Sequence, residues 1–137
     1  MAKVTLSFDN GPDADVTPRV LDILAAHGIK STFFVIGKKL ADPKARPLAE
    51  RAKREGHWIA NHTFTHGTPL GRIADAAEAV GEIANAEAEI GALGETPKLF
   101  RPFGGAGKIE VAAHHGVHAA VEAFTRGEGN ELAAGEE

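Results

Sequence analysis

Ser31-Thr32-Phe33-Phe34-Val35-Ile36, closed by Gly37, is the stretch that decides the fold. The run is β-branched and aromatic with almost no polar interruption. A strand with one wet face would alternate apolar and polar residues, so this one reads as covered on both faces, as in a parallel sheet. Upstream, Val4 to Phe8 alternates and then meets Asp9-Asn10-Gly11-Pro12, a turn-forming quartet, which predicts a strand ending in a tight loop. Between the two strands, Thr17 and Pro18 supply an N-cap and an N1 proline. Val20, Ile23, Leu24 and His27 then recur at helical spacing up to Gly28.

Downstream the rhythm continues. A helix is predicted from Pro47 to Glu55 with Gly56 as its stop, followed by a third strand over His57-Trp58-Ile59-Ala60-Asn61. Ile73, Ala76, Val80, Ile83 and Ile90 mark the buried stripe of a longer helix, slightly weakened by Gly81, and Leu99-Phe100 opens a fourth strand. Strands alternating with helices imply right-handed crossovers and a parallel sheet, hence the α/β class. In such sheets functional residues gather past the carboxyl ends of the strands. Here those positions are Asp9-Asn10, Gly37-Lys38, His62 to His66 and Arg101 to Gly105.

A chain of 137 residues has room for one core, and 43% hydrophobic with 25% charged residues is ordinary for a globular domain. The absence of cysteine excludes disulfides, thiolate metal sites and cysteine nucleophiles, so a metal would have to use His, Asp or Asn. The net charge of −4 arises in the tail: residues 1–105 hold 13 basic and 13 acidic side chains, residues 106–137 hold 2 and 6. A balanced body without a basic stripe argues against nucleic acid as a partner. The amino-terminal residues lack the apolar core of a signal peptide and no run is long enough to cross a bilayer, which argues against a membrane partner and reads as cytoplasmic or as a chain that has lost its leader. Beyond Gly105 the pattern changes: one helix is predicted from Ile109 to Phe124, and the glycine-rich, acidic stretch 126–137 reads as a disordered tail after a domain spanning 1–125.

His62 and His66, with three residues between them, can reach one ion from a strand-end loop, although two surface histidines in a turn give the same spacing. The sheet argument brings Asp9 and Asn10 to the same end. Two imidazoles and an oxygen ligand are the set that leaves zinc a position for a water that ionises near pH ~7. A neighbouring carboxylate would take the proton and Arg101 would orient it. Turn chemistry for Asp9 and a surface ion pair for Arg101 are the plainer alternatives.

Five segments in order now carry a resemblance: Thr5 to Pro12, Ser31 to Gly37, Glu55-Gly56-His57, Asn61-His62-Thr63-Phe64-Thr65-His66, and Phe100-Arg101-Pro102-Phe103-Gly104. Together, across about residues 3–105, they resemble the NodB-like polysaccharide deacetylases, carbohydrate esterase family four. The resemblance implies the front half of a deformed (β/α) barrel that removes N-acetyl groups from an amino sugar or oligosaccharide with a divalent metal, zinc or cobalt. It makes Asp9 the catalytic base, His62 and His66 metal ligands, and Arg101 the partner of the base. Asn10 falls where the family has a carboxylate ligand.

The chain departs from the family at two places. Asn10 replaces a charged ligand by a neutral amide, which weakens the hold on a cation. The family's later motifs, an Asp-rich segment with tryptophan and a Leu-x-His that supplies the general acid, have no match. Trp58 is the only tryptophan and no histidine follows His118. His114, His115 and His118 read as an incidental polar cluster on the helix after Gly105. A half-barrel also leaves an open sheet edge at which copies can associate. The readings are therefore a metal-dependent amide hydrolase, a non-catalytic remnant or carbohydrate-binding module, or a hydrolase of small cyclic amides.

Overall fold

The computed structural model describes residues 3–95 and 99–104. Its centre is the apolar run. Strand β2 spans Thr32–Val35 with every residue buried, between β1 (Ser7–Gly11) and β3 (Trp58–Asn61), all three parallel in the order β1-β2-β3. Each neighbouring pair is joined through helices: α1 (Thr17–Ala26) links β1 to β2, while α2 (Gly37–Leu40) and α3 (Arg46–Arg54) link β2 to β3. A single turn of 3-10 helix at Leu70–Arg72 and the long α4 (Ala76–Gly91) follow β3. The expected α/β class with a parallel sheet is present.

The pleat divides the sheet's contents. Phe33, Val35 and Ile59 enter the helix-side core with Leu21 and Leu24 of α1, Leu40 of α2, Ala49 and Ala52 of α3, and Ile90 of α4. A smaller core joins Leu70 and Ile73 to Ala79 and Ile83 of α4. Phe34, out of phase with its neighbours, turns to the other face. Gly28 and Gly56, at φ 64° and 86°, stop α1 and α3 in the left-handed conformation expected of helix-ending glycines.

Several expectations need correction. β1 begins later than Val4 and runs through Asp9 and Asn10. The reason is a bulge: Ser7, Phe8 and Asp9 pair with Thr32, Phe33 and Phe34, but Gly11 is the residue opposite Val35. Asn10 is the extra residue, at φ 68°. Thr17 is already helical. The start of α1 is tied instead by Asp13, whose Oδ1 accepts from the amides of Asp15 and Val16 at 2.9 and 2.8 Å, while Thr17 Oγ1 accepts from Asp13 N. The buried face of α1 is Thr17, Leu21 and Leu24, leaving Ile23 61% exposed.

On α4 the stripe is Ala79, Ile83, Ala86 and Ile90, with Ala76 exposed and Val80 half-buried. Alanines serve because this helix lies close: a Cβ on Gly37 would stand 2.7 Å from the Ala86 Cα. Asp75 caps α4, accepting from the amides of Ala77 and Glu78 at 2.7 and 3.1 Å. Among the described residues the fourth strand is one parallel bridge, Phe100 against Asn61. His57 precedes β3 rather than belonging to it. The expected helix over 109–124, the tail over 126–137 and His114, His115 and His118 lie outside the described residues.

Candidate active site

The carboxyl ends of β1 and β3 and the segment after Phe100 converge. The bridge at Asn61 does this by two backbone bonds, Asn61 N to the Leu99 carbonyl and Arg101 N to the Asn61 carbonyl, both 3.0 Å. They set Arg101 beside His62. The Nδ1–H of His62 then donates to the Arg101 carbonyl at 2.6 Å. A carbonyl only accepts, so Nδ1 carries the proton and, in the neutral ring, Nε2 keeps its lone pair. That Nε2 lies 3.8 Å from Asp9 Oδ2.

His62 is 3% exposed, and burial pushes its pKa below the ordinary histidine value, against the opposing pulls of the Arg101 carbonyl and Asp9. A neutral imidazole with one nitrogen tied to a carbonyl is the form that ligates metals. His66 stands close by, its ring centroid 5.0 Å from that of His62, and it stacks on Phe103 at 3.8 Å.

Asp9 is held from the other side. Arg101 Nη1 donates to Asp9 Oδ1 at 2.6 Å, and both terminal nitrogens of the guanidinium donate to Ser7 Oγ at 3.1 Å. The guanidinium lies 3.9 Å over the Phe34 ring, a cation–π seat on the face opposite the helices. With Oδ1 taken by Arg101, Oδ2 is the oxygen turned toward His62.

Asp9, His62, His66 and Arg101 are therefore brought together. Asn10 adjoins them on the bulge, where its backbone carbonyl accepts from Lys39 Nζ at 2.6 Å. Gly37 and Lys38 serve the site through their backbones: their amides donate to the carbonyls of Thr63 and Phe64 at 3.0 and 2.9 Å. Ser7 and Phe34 are site residues that sequence reasoning missed, although both lie in phase with Asp9 across the parallel register. Phe103, which stacks on His66, falls within the Arg101-to-Gly105 stretch that the sequence placed at a strand end.

The donor chemistry fits a divalent ion in part. His62 offers a free Nε2 lone pair and His66 a second imidazole, whereas among the described residues no three His, Cys, Asp or Glu side chains form a set that could hold a metal ion.

Fold and site define a parallel α/β domain whose polar side chains, a paired Asp–Arg and two histidines, gather at the carboxyl ends of its strands. The family model described as polysaccharide deacetylase matches residues 2–120, and the chain belongs to that family. Peptidoglycan-N-acetylglucosamine deacetylase of Bacillus cereus is 38% identical over 102 residues, covering 74% of this chain and 36% of that protein. Chitooligosaccharide deacetylase of Sinorhizobium fredii is 53% identical over 64 residues, 46% of this chain and 28% of the relative.

Among solved structures, a family 4 acetyl xylan esterase from Clostridium thermocellum in complex with a cobalt ion superposes with a TM-score of 0.66 at 34% identity, over 72% of this chain and 47% of that one. A peptidoglycan N-acetylglucosamine deacetylase in complex with a naphthalenyl N-hydroxybenzamide gives 0.70 at 33% identity, over 85% and 52%. The fold is that of these barrels in part: the chain spans about a third of the length of the first curated relatives and about half of the solved ones. Among the described residues no helix is long and apolar enough to cross a membrane.

Proposed function

We propose that this chain carries the base and ligand half of a deacetylase site that removes N-acetyl groups from an amino sugar or oligosaccharide. The observation that carries the reading is the Arg101–Asp9–His62 relay, in which one carboxylate oxygen is tied to the guanidinium and the other faces the histidine. Peptidoglycan and chitooligosaccharide relatives supply the substrate class.

In this reading Asp9 Oδ2 accepts the proton of the attacking water as its oxygen bonds to the acetyl carbon. Arg101 fixes the carboxylate's direction, so the base does not reorient during the step. As the C–N bond breaks, the proton that Asp9 took from the water passes to the departing nitrogen, leaving a free amine and acetic acid, which ionises to acetate. His62, His66 and Asn10 would hold zinc or cobalt, which when bound supplies Lewis acidity at the acetyl carbonyl. His62 contributes by staying neutral, with its tautomer set by the Arg101 carbonyl.

The test is zinc and cobalt titration by calorimetry, followed by acetate release from chitooligosaccharide and peptidoglycan fragments. Metal-dependent acetate release that Asp9→Asn abolishes is the expected result. The incomplete donor set at Asn10 favours a second reading, a carbohydrate-binding module without turnover. It predicts oligosaccharide affinity with no acetate released.

A further inference from the structure

The segment from His62 to His66 carries both imidazoles in an unfavourable backbone. Thr63 and His66 sit at φ 70° and 55° without being glycine, an unfavourable conformation that persists where the surroundings over-determine it. What over-determines this segment lies partly on α4. Glu82 Oε2 accepts from the amides of Phe64 and Thr65 at 3.1 and 2.9 Å, and its Oε1 accepts from Thr65 Oγ1 at 2.7 Å. One carboxylate thus takes three donors of the residues between the two histidines.

Asn61 holds the other end. Its Oδ1 accepts from the Thr63 amide at 2.9 Å and its Nδ2 donates to the Ile83 carbonyl at 3.0 Å, so the same stretch of α4 is tied twice to the loop. Asn61 is fully buried, and Ile83 beside Glu82 is 1% exposed in the core, which makes α4 a rigid reference.

We propose that Glu82, with Asn61, is a positioning residue that sets the orientation of His62 and His66 through the backbone between them. The zinc arm of its test rests on the metal reading given above; the exchange arm does not. Amide hydrogen exchange and zinc titration are compared for the full chain and for Glu82→Ala, Glu82→Gln and Thr65→Val. In Glu82→Ala, Phe64 and Thr65 exchange faster and zinc affinity of the folded protein falls about tenfold or more, the usual effect of removing an outer support of ligating histidines.

Glu82→Gln retains the geometry: its Oε1 can accept both amides while its NH2 donates to Thr65 Oγ1. Both readouts there stay within about threefold, the scale of one altered hydrogen bond. A folded Glu82→Ala with unchanged exchange and unchanged zinc affinity overturns the proposal, as does a lowered melting temperature with unchanged zinc affinity. If Glu82→Ala does not fold, Thr65→Val decides: loss of the Oγ1 link must speed exchange at Thr65, and no change there overturns it. If the unaltered chain binds no zinc, the metal reading falls and the exchange arm still decides the role of Glu82.

Discussion

His62 Nδ1 and the carbonyl of Arg101, 39 residues apart in the chain, meet at 2.6 Å. This one bond assigns the tautomer of a buried imidazole and places the guanidinium of the same arginine within reach of Asp9. Asp9, His62 and Arg101 are thus parts of one hydrogen-bonded unit, and a change in one is felt by the others.

Asp9→Asn separates the roles within that unit. Its amide keeps the shape but lacks the basicity to take a proton from water, so any acetate release should fall by a factor of about 10² or more, the usual contribution of a general base. Zinc binding, measured by calorimetry, should be spared. Loss of zinc instead would make Asp9 a ligand.

Asn10→Asp restores a charged oxygen on the bulge of β1, where Asn10 already has the left-handed φ of 68° that aspartate also tolerates. Divalent-metal affinity should rise, since a carboxylate is a stronger ligand than an amide for a hard cation. Unchanged affinity would mean that position ten does not face the ion.

Acid should destabilise the chain through its buried histidines. His57 is 4% exposed and burial lowers its pKa from the ordinary 6.5, with Lys30 pulling the same way. Its Nδ1 accepts the Ser31 amide at 3.1 Å, a bond that only the unprotonated nitrogen can make. The unfolded chain therefore binds the proton more readily. Stability is complete above about pH 6.5 and declines as pH falls below it, by at most ~1.4 kcal/mol per pH unit for each such histidine. Urea unfolding at pH 7.5 and 5.5 measures this. His57→Gln, which can still accept from Ser31, should flatten the slope in part, because His62 contributes with the same sign.

Gly37→Ala tests the closeness of α4. The added methyl would stand 2.7 Å from the Ala86 Cα and 2.8 Å from the Phe64 ring. Backbone cannot yield cheaply, so a loss of roughly 1–3 kcal/mol is expected from chemical denaturation, as for other overpacked positions. Since the Gly37 amide also holds the Thr63 carbonyl, metal affinity should drop in parallel.

The apolar run at 31–36 and the glycine stops at Gly28 and Gly56 made the strand–helix alternation legible, because burial on both faces and left-handed helix ends demand particular residue types locally. The same locality limited the reading. Asn10 gives no sign of a bulge without its partner strand, and Val4 to Phe8 alternates as well as Ser7 to Gly11 pairs. On α1 and α4 the stripe was misplaced in part because Ile23 and Val80 look buried by type, whereas Ala86 is buried against the backbone of Gly37 and Ala79 among Leu70, Ile73 and Ile83.

The candidate site divides in the same way. Sequence determined which groups exist, Asp9, Asn10, His62, His66 and Arg101, and that they fall at the carboxyl ends of strands, because motif spacing and side-chain chemistry are properties of the chain alone. Tertiary structure alone decided that Arg101 grips Asp9, that His62 presents Nε2, and that Glu82 and Asn61 hold the loop between the histidines. The reason is that hydrogen bonds and desolvation act across space, between residues brought together by parallel pairing and by the docking of α4, and no local pattern encodes a partner dozens of residues away.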